Sequence, residues 1–192
     1  MIGSAPIIVI TATDSPYKTL KDVVDAARKD PQAIMYGSSG NGSPLHLAGE
    51  LFLSIAKVNM THIPYKGGNA HIIDLIGGRV PVIFDTATNS MPLLRGGKVR
   101  PLAVSMPQRL PDLPNVPTFA EAGFPDAQVV SWYALVAPSK TPAAVRQRLN
   151  EEFTKALADP GVRDRLAQAG AMISDRSTPE QVDTMLKQQT VR

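Results

Sequence analysis

Short β-branched runs alternate with capped helical segments along the first two thirds of the chain. That alternation restricts the fold to an α/β sheet with short crossovers. Strands are expected at Pro6–Thr11, around Ile34–Gly37, near Asn59–Ile63, over Val80–Phe84, at Val99–Ser105 and through Val129–Val136. Between the first two, Leu20, Val23, Val24 and Ala27 fall on one helical face. Thr19 and Asp22 have capping-box spacing, and Pro31 ends that helix. Ser43–Pro44 fits an N-cap and first helical position, with Ala48, Leu51, Phe52 and Ile55 continuing a buried stripe. A glycine turn at Lys66–Asn69 leads into a helix through Leu75 to Gly77–Gly78, and a polar helix start follows at Thr86–Ser90.

The pattern then changes. Pro107–Pro125 carries five prolines, yet Thr118 and Glu121 again have capping-box spacing, so a loop with one short helix is expected. From Thr141 onward only helices are expected, opened at Thr141–Pro142, Asp159–Pro160 and Thr178–Pro179, with Gly170 closing the middle one. No internal repeat is visible.

Composition narrows the function classes. The apolar fraction of 43% and charged fraction of 19% are those of a globular protein, which argues against disorder. A net charge of +3 without a dense Lys/Arg block, and few aromatic residues, give little support for nucleic-acid binding. The lack of cysteine excludes disulfides, a thiolate nucleophile and cysteine metal ligands. No apolar run is long enough to span a bilayer, so no direct membrane insertion is expected. The N-terminus MIGSAPIIVITATD lacks a basic n-region and reads as a strand, not a signal peptide.

The densest candidate for chemistry is Tyr36–Phe52, YGSSGNGSPLHLAGELF. Gly37 and Gly42 have phosphate-loop spacing, but Ser43 and Pro44 stand where Lys and a hydroxyl are needed. Gly40 and Gly42 begin a dinucleotide pattern that Leu45 ends. Ser39 has Gly37 before it but Asn41 after it, which breaks the nucleophile-elbow pattern. No two histidines stand at i, i+4, so no metal site is expected, and His46, His62 and His71 read as hydrogen-bonded structural residues or loop contacts. Two readings stay open. The unpaired N–H groups and dipole of the helix opening at Ser43 suit a carboxylate, with Ser38, Ser39, Ser43 and Asn41 as donors. Alternatively Ser43 only caps the helix and the glycines only relieve strain.

YGSSGNGSPLHLAGELF, HIPYKGGNAHIIDLIGGRVPVIFD, LRGGKVRPLAVS, LPNVPTFAEAGFP and SWYALVAPSKTP occur in this order. Together they closely resemble the Bug family, the solute-binding proteins of tripartite tricarboxylate transport systems. The resemblance covers nearly the whole chain. It implies a two-lobed, periplasmic-binding-protein-like fold that clasps a small carboxylate between α/β lobes, without catalysis or cofactor, and that delivers it to membrane transporter subunits. Carried over by motif, Ser38, Ser39, Gly40, Asn41, Gly42 and Ser43 would bind one carboxylate, with Tyr65 and Asp85 flanking the cleft. Capping the next helix is the competing role for Asp85. The resemblance also implies a periplasmic full-length protein with a signal peptide and a first lobe that this chain does not contain. Residues 1–14 would then be a crossover strand of the incomplete first lobe, 15–130 the second lobe with the ligand loop, and 131–192 a crossover strand and helices returning to the first lobe. A remnant lobe that binds only with a partner, and a small hydrolase, are the alternatives.

Overall fold

The computed structural model describes residues 1–31, 34–67, 69–173 and 178–190, with side chains described as far as residue 187. Gly68 of the expected glycine turn lies outside the described residues. The chain divides into two compact units, Pro6–Ser131 and Met1–Ala5 with Trp132–Arg192. The division therefore runs through two strands, β1 (Gly3–Ala12) and β6 (Val130–Tyr133).

The larger unit is an α/β sheet of order β3-β2-β4-β1-β5, built from β1, β2 (Met35–Ser38), β3 (Thr61–Pro64), β4 (Val82–Thr86) and β5 (Val99–Val104). β2 runs parallel to both β3 and β4, while β1 is antiparallel to β4 and β5. β1 explains itself from its sequence. Ile7 and Val9 enter one core cluster and Ile8 and Ile10 another, so both faces are buried and the run is continuously apolar. The first cluster joins α1 (Leu20–Lys29) and α2 (Pro44–Ala56) through Val23, Val24, Ala48 and Phe52, with Tyr36, Phe84 and Phe119. The second includes Ile72 and Leu75 of α3 (Ala70–Ile76), and Leu93 and Leu94 of α4 (Ala87–Arg95) pack against it. The Thr19–Asp22 capping box forms, and its two backbone N–H groups, from Lys18 and Thr19, hold the Asp22 carboxyl below its usual range.

Several local expectations need correction. The Thr118–Glu121 box forms in both directions, but no helix element follows it. Phe124 N–H returns to Phe119 O and Gly123 N–H to Ala120 O, with Gly123 at φ +95°, so a Schellman stop meets the box after one turn. The strand expected over Val80–Phe84 and ending in Asp85 is β4 at Val82–Thr86, with Asp85 its penultimate residue. The tail is not purely helical either. Met172–Ile173, the strand β7, pairs with Gly3 and Ser4 of β1.

In the smaller unit, α5 (Ala143–Ala158) has Pro142, not Thr141, as its N-cap, because Pro142 keeps an extended ψ of 141°. α6 (Pro160–Gln168) is capped as expected by Asp159, which accepts from Val162 N–H at 3.0 Å, and Gly170 follows it at φ +80°. Before α7 (Pro179–Thr190), Thr178 and Gln181 exchange side-chain and backbone bonds at 2.8 and 3.3 Å. Neither α5 nor α6 buries a single residue. Leu135, Leu149, Phe153, Leu157, Val182 and Leu186 instead line an open apolar groove of about 450 Å³. Among the described residues no helix is long and apolar enough to cross a membrane.

Candidate functional site

The loop Ser39–Ser43 leaves the carboxyl end of β2 and enters the N-terminus of α2. Its path requires glycine twice, at Gly40 (φ +129°) and Gly42 (φ +72°). A Cβ on Gly40 would also stand 2.7 Å from the Tyr65 carbonyl oxygen, whereas one on Gly42 would meet open space. Backbone bonds fix the shape: Ser43 N–H to Gly40 O at 3.2 Å, Tyr65 N–H to Ser38 O at 3.1 Å and Gly67 N–H to Ser39 O at 3.1 Å. Ser43 caps α2 by accepting from His46 N–H at 3.2 Å.

The eight expected site residues fall into two groups. Asn41 and Gly42 are exposed, and Ser39, Gly40, Ser43 and Tyr65 are half-buried. Ser38 and Asp85 are buried, which departs from the expectation that their side chains face a ligand. The Ser38 hydroxyl lies 2.7 Å from His62 Nε2, accepts from Gly40 N–H at 3.1 Å and reaches Gly40 O at 3.3 Å. All its capacity is used beneath the loop. The same burial removes Ser38–His62 as a nucleophile pair, since an attacking oxygen needs a path to its substrate. Asp85 accepts from Thr86 N–H at 2.8 Å, from Ser90 Oγ at 2.8 Å and from Asn89 Nδ2 at 3.2 Å. Thr86, the N-cap of α4, makes no side-chain cap, and the Asp85 oxygens take the Thr86 N–H and the side chains of Asn89 and Ser90. Its oxygens are thereby engaged within the protein.

Tyr65 packs its ring against the second core cluster and commits its hydroxyl to Asp74. The ring lies where a Cβ on Gly37 would meet it at 3.3 Å, and the hydroxyl donates to Asp74 Oδ2 at 2.7 Å. Burial, followed by that bond to a carboxylate, raises the Tyr65 phenol to about 12. Arg79 donates to the other oxygen of Asp74 at 2.7 Å, completing a surface chain that holds the segment after β3.

The sequence read the histidines as hydrogen-bonded structural residues or loop contacts, and His46 and His62 take that place in the structure. His46 Nδ1 accepts from Gly42 N–H at 3.1 Å, and the His46 ring stacks on His62 with centroids 4.0 Å apart. The i+3 spacing of His46 from the Ser43 cap was the available signal. His71 differs from the expectation: it is buried, neither ring nitrogen has a hydrogen-bond partner among the described residues, and its nearest charge is Asp85 Oδ1 at 3.5 Å. Among the described residues no cluster of histidine and carboxylate side chains could hold a metal ion.

The sequence profile of the family described as "Tripartite tricarboxylate transporter family receptor", TctC, matches residues 1–192. The chain belongs to this family. Members of the TctC, or Bug, family are periplasmic solute-binding proteins and not enzymes. The protein is 35% identical over 193 residues to the UPF0065 protein in the tcbD-tcbE intergenic region of Pseudomonas sp. strain P51, covering 100% of this chain and 57% of that one. The structure of R. palustris Rpa4515 with adipate superposes with a TM-score of 0.93 at 33% identity, covering 100% of this chain and 64% of that one. MatC from Rhodopseudomonas palustris with bound malate gives 0.92 at 28% identity, covering 99% and 65%. The fold is therefore that of periplasmic binding proteins, and the chain spans little more than half the length of the curated relatives it matches.

Proposed function

We propose that the chain is the carboxylate-capturing part of an extracytoplasmic solute-binding protein serving a tripartite tricarboxylate transporter. The observation that carries this reading is the loop Ser39–Ser43. It is held open by backbone bonds and two positive-φ glycines, it leads into the positive end of α2, and its own acidic neighbour Asp85 is buried. In this reading one ligand carboxylate lies against Ser39, Gly40, Asn41, Gly42 and Ser43, with the Tyr65 ring beside it. Ser38 and Asp85 shape the site from below. The adipate and malate held by the two Rhodopseudomonas proteins are the reason to begin with dicarboxylates.

A screen of dicarboxylates, tricarboxylates, amino acids and aromatic acids by calorimetry and thermal shift tests this. A ligand at a hundred times its Kd stabilises by about 2.7 kcal/mol, which is readily visible. No response to any of them, by this chain or by a version joined to the preceding part of a longer relative, refutes the proposal.

One observation favours a second reading. α5 and α6 bury nothing and expose an apolar groove, while the relatives carry much more polypeptide than the match covers. The smaller unit then belongs to a lobe completed by such polypeptide, and ligand capture depends on it. A silent 192-residue chain beside a binding-competent completed one selects this reading.

A further inference from the structure

Three rings form a column beneath the ligand loop. His46 stacks on His62 at 4.0 Å and 21°, and His62 stacks on Tyr36 at 4.8 Å and 27°. The titratable groups set around His46 are His62 from β3, Tyr36 from β2, and Glu50 from its own helix, whose Oε1 is 3.8 Å from His46 Nε2 and accepts from the Tyr36 hydroxyl at 2.6 Å.

The two histidines answer a proton differently. His62 Nε2 faces a hydroxyl, which can donate or accept, so a proton there breaks no bond. His46 Nδ1 faces the N–H of Gly42, so it must be bare in this arrangement. A proton on Nδ1 sets donor against donor and frees both to point at the loop. An oxygen anion placed between them satisfies both, and the imidazolium adds a positive charge beside the α2 N-terminus. Burial, reinforced by the neighbouring His46 and opposed by Glu50, disfavours the charged form of His62.

We propose that the loop takes up its carboxylate together with one proton from solvent, carried on Nδ1 of His46, which makes His46 a ligand-contacting residue and lets affinity rise as pH falls. This rests on the carboxylate-binding reading above. It extends that reading by assigning a residue and a linkage to it.

The test is calorimetric titration of the 192-residue chain with succinate between about pH 5 and pH 8, where histidine changes charge, in two buffers of different ionisation heat. The expected result is uptake of close to one proton per succinate bound, with affinity rising toward tenfold per pH unit on the alkaline side, the limit for one linked proton. In His46→Gln the side-chain amide oxygen still accepts from Gly42 N–H but takes no proton, so the affinity loses its pH slope. Without ligand, the Gly42 amide and His46 ring nitrogen resonances should titrate together. Binding without proton uptake, a slope that survives His46→Gln, or a Gly42 amide that ignores the His46 titration overturns this proposal and leaves carboxylate capture standing. Failure of every acid in the screen to bind at any pH, to this chain and to the completed version alike, overturns both.

Discussion

Gly40 and Gly42 lie two residues apart in one loop and both have positive φ, yet alanine should affect them very differently. At Gly42, φ is +72° and a new Cβ meets nothing within 4 Å. The left-handed conformation alone costs an L-residue roughly 1–2 kcal/mol. At Gly40, φ is +129°, outside the left-handed helical region, and the Cβ would stand 2.7 Å from Tyr65 O. That oxygen belongs to backbone already tied to the loop by Tyr65 N–H to Ser38 O, so it has little room to retreat. Strained backbone of this kind costs about 1–3 kcal/mol, and overpacking adds a further ~1–3 kcal/mol. Gly40→Ala should therefore lose about 4 kcal/mol against about 1 for Gly42→Ala. For a domain of this size about 1 kcal/mol moves Tm by roughly 2–4 °C, so the two variants should separate by several degrees.

Paired urea and thermal unfolding followed by far-UV circular dichroism measures the difference, and the comparison cancels most uncertainty about the unfolded chain. Succinate titration of the same proteins adds the functional arm, in which Gly40→Ala loses binding while Gly42→Ala keeps most of it. Equal destabilisation by the two alanines would refute the reasoning, because it would mean that the Tyr65 contact does not constrain the loop.

Other perturbations separate roles that the site combines. Ser43→Ala removes the α2 cap and should cost about 1 kcal/mol in urea unfolding, whereas Ser43→Asn, another capping residue, should restore most of it. Asp85→Ala strands Thr86 N–H, Asn89 and Ser90, so a loss of about 2–4 kcal/mol is expected from deleting a charged acceptor, with no gain in succinate affinity; a markedly tighter complex would show that Asp85 does face the ligand. Alkaline absorbance titration should show a tyrosine ionising near pH 12, absent in Tyr65→Phe. Because the folded pKa of Tyr65 is raised, its contribution to stability is complete below the ordinary phenol value of about 10 and fades as pH rises from there toward 12.

How much of this was legible depended on range. The caps at Thr19, Ser43, Asp159 and Thr178 join residues three apart, and local sequence placed each of them. The one-turn stop at Gly123 was equally local but needed two motifs read together, a box and a Schellman end, and the first alone suggested a helix. β7 could not be found from its two residues, because its strand character comes from pairing with Gly3 and Ser4 at the other end of the chain. In the site, the loop and its glycines were visible as a pattern. The burial of Ser38 was not, since it depends on His62, which is 24 residues away in sequence and on the neighbouring strand. Asp85 was legible as a strand-end carboxylate, while its bonds to the side chains of Asn89 and Ser90 needed the structure to be seen.

The loop uses its side chains mainly on itself. Ser38 braces Gly40, Ser43 closes the first turn of α2, His46 holds Gly42 and the Tyr65 hydroxyl is tied to Asp74. The N–H groups of Gly40, Gly42 and Ser43 are also bonded within the loop, and Ser39 and Asn41 are the polar side chains at its surface. Under the carboxylate-binding proposal, a loop with so few polar groups to offer would read one carboxylate group and little else. Distinguishing one dicarboxylate from another requires groups that reach the far end of the molecule. Substitutions at Ser39 or Asn41 should accordingly change affinity for a series of dicarboxylates in parallel, leaving their order unchanged. A variant at either position that reordered the series would show that the loop reads more than a carboxylate.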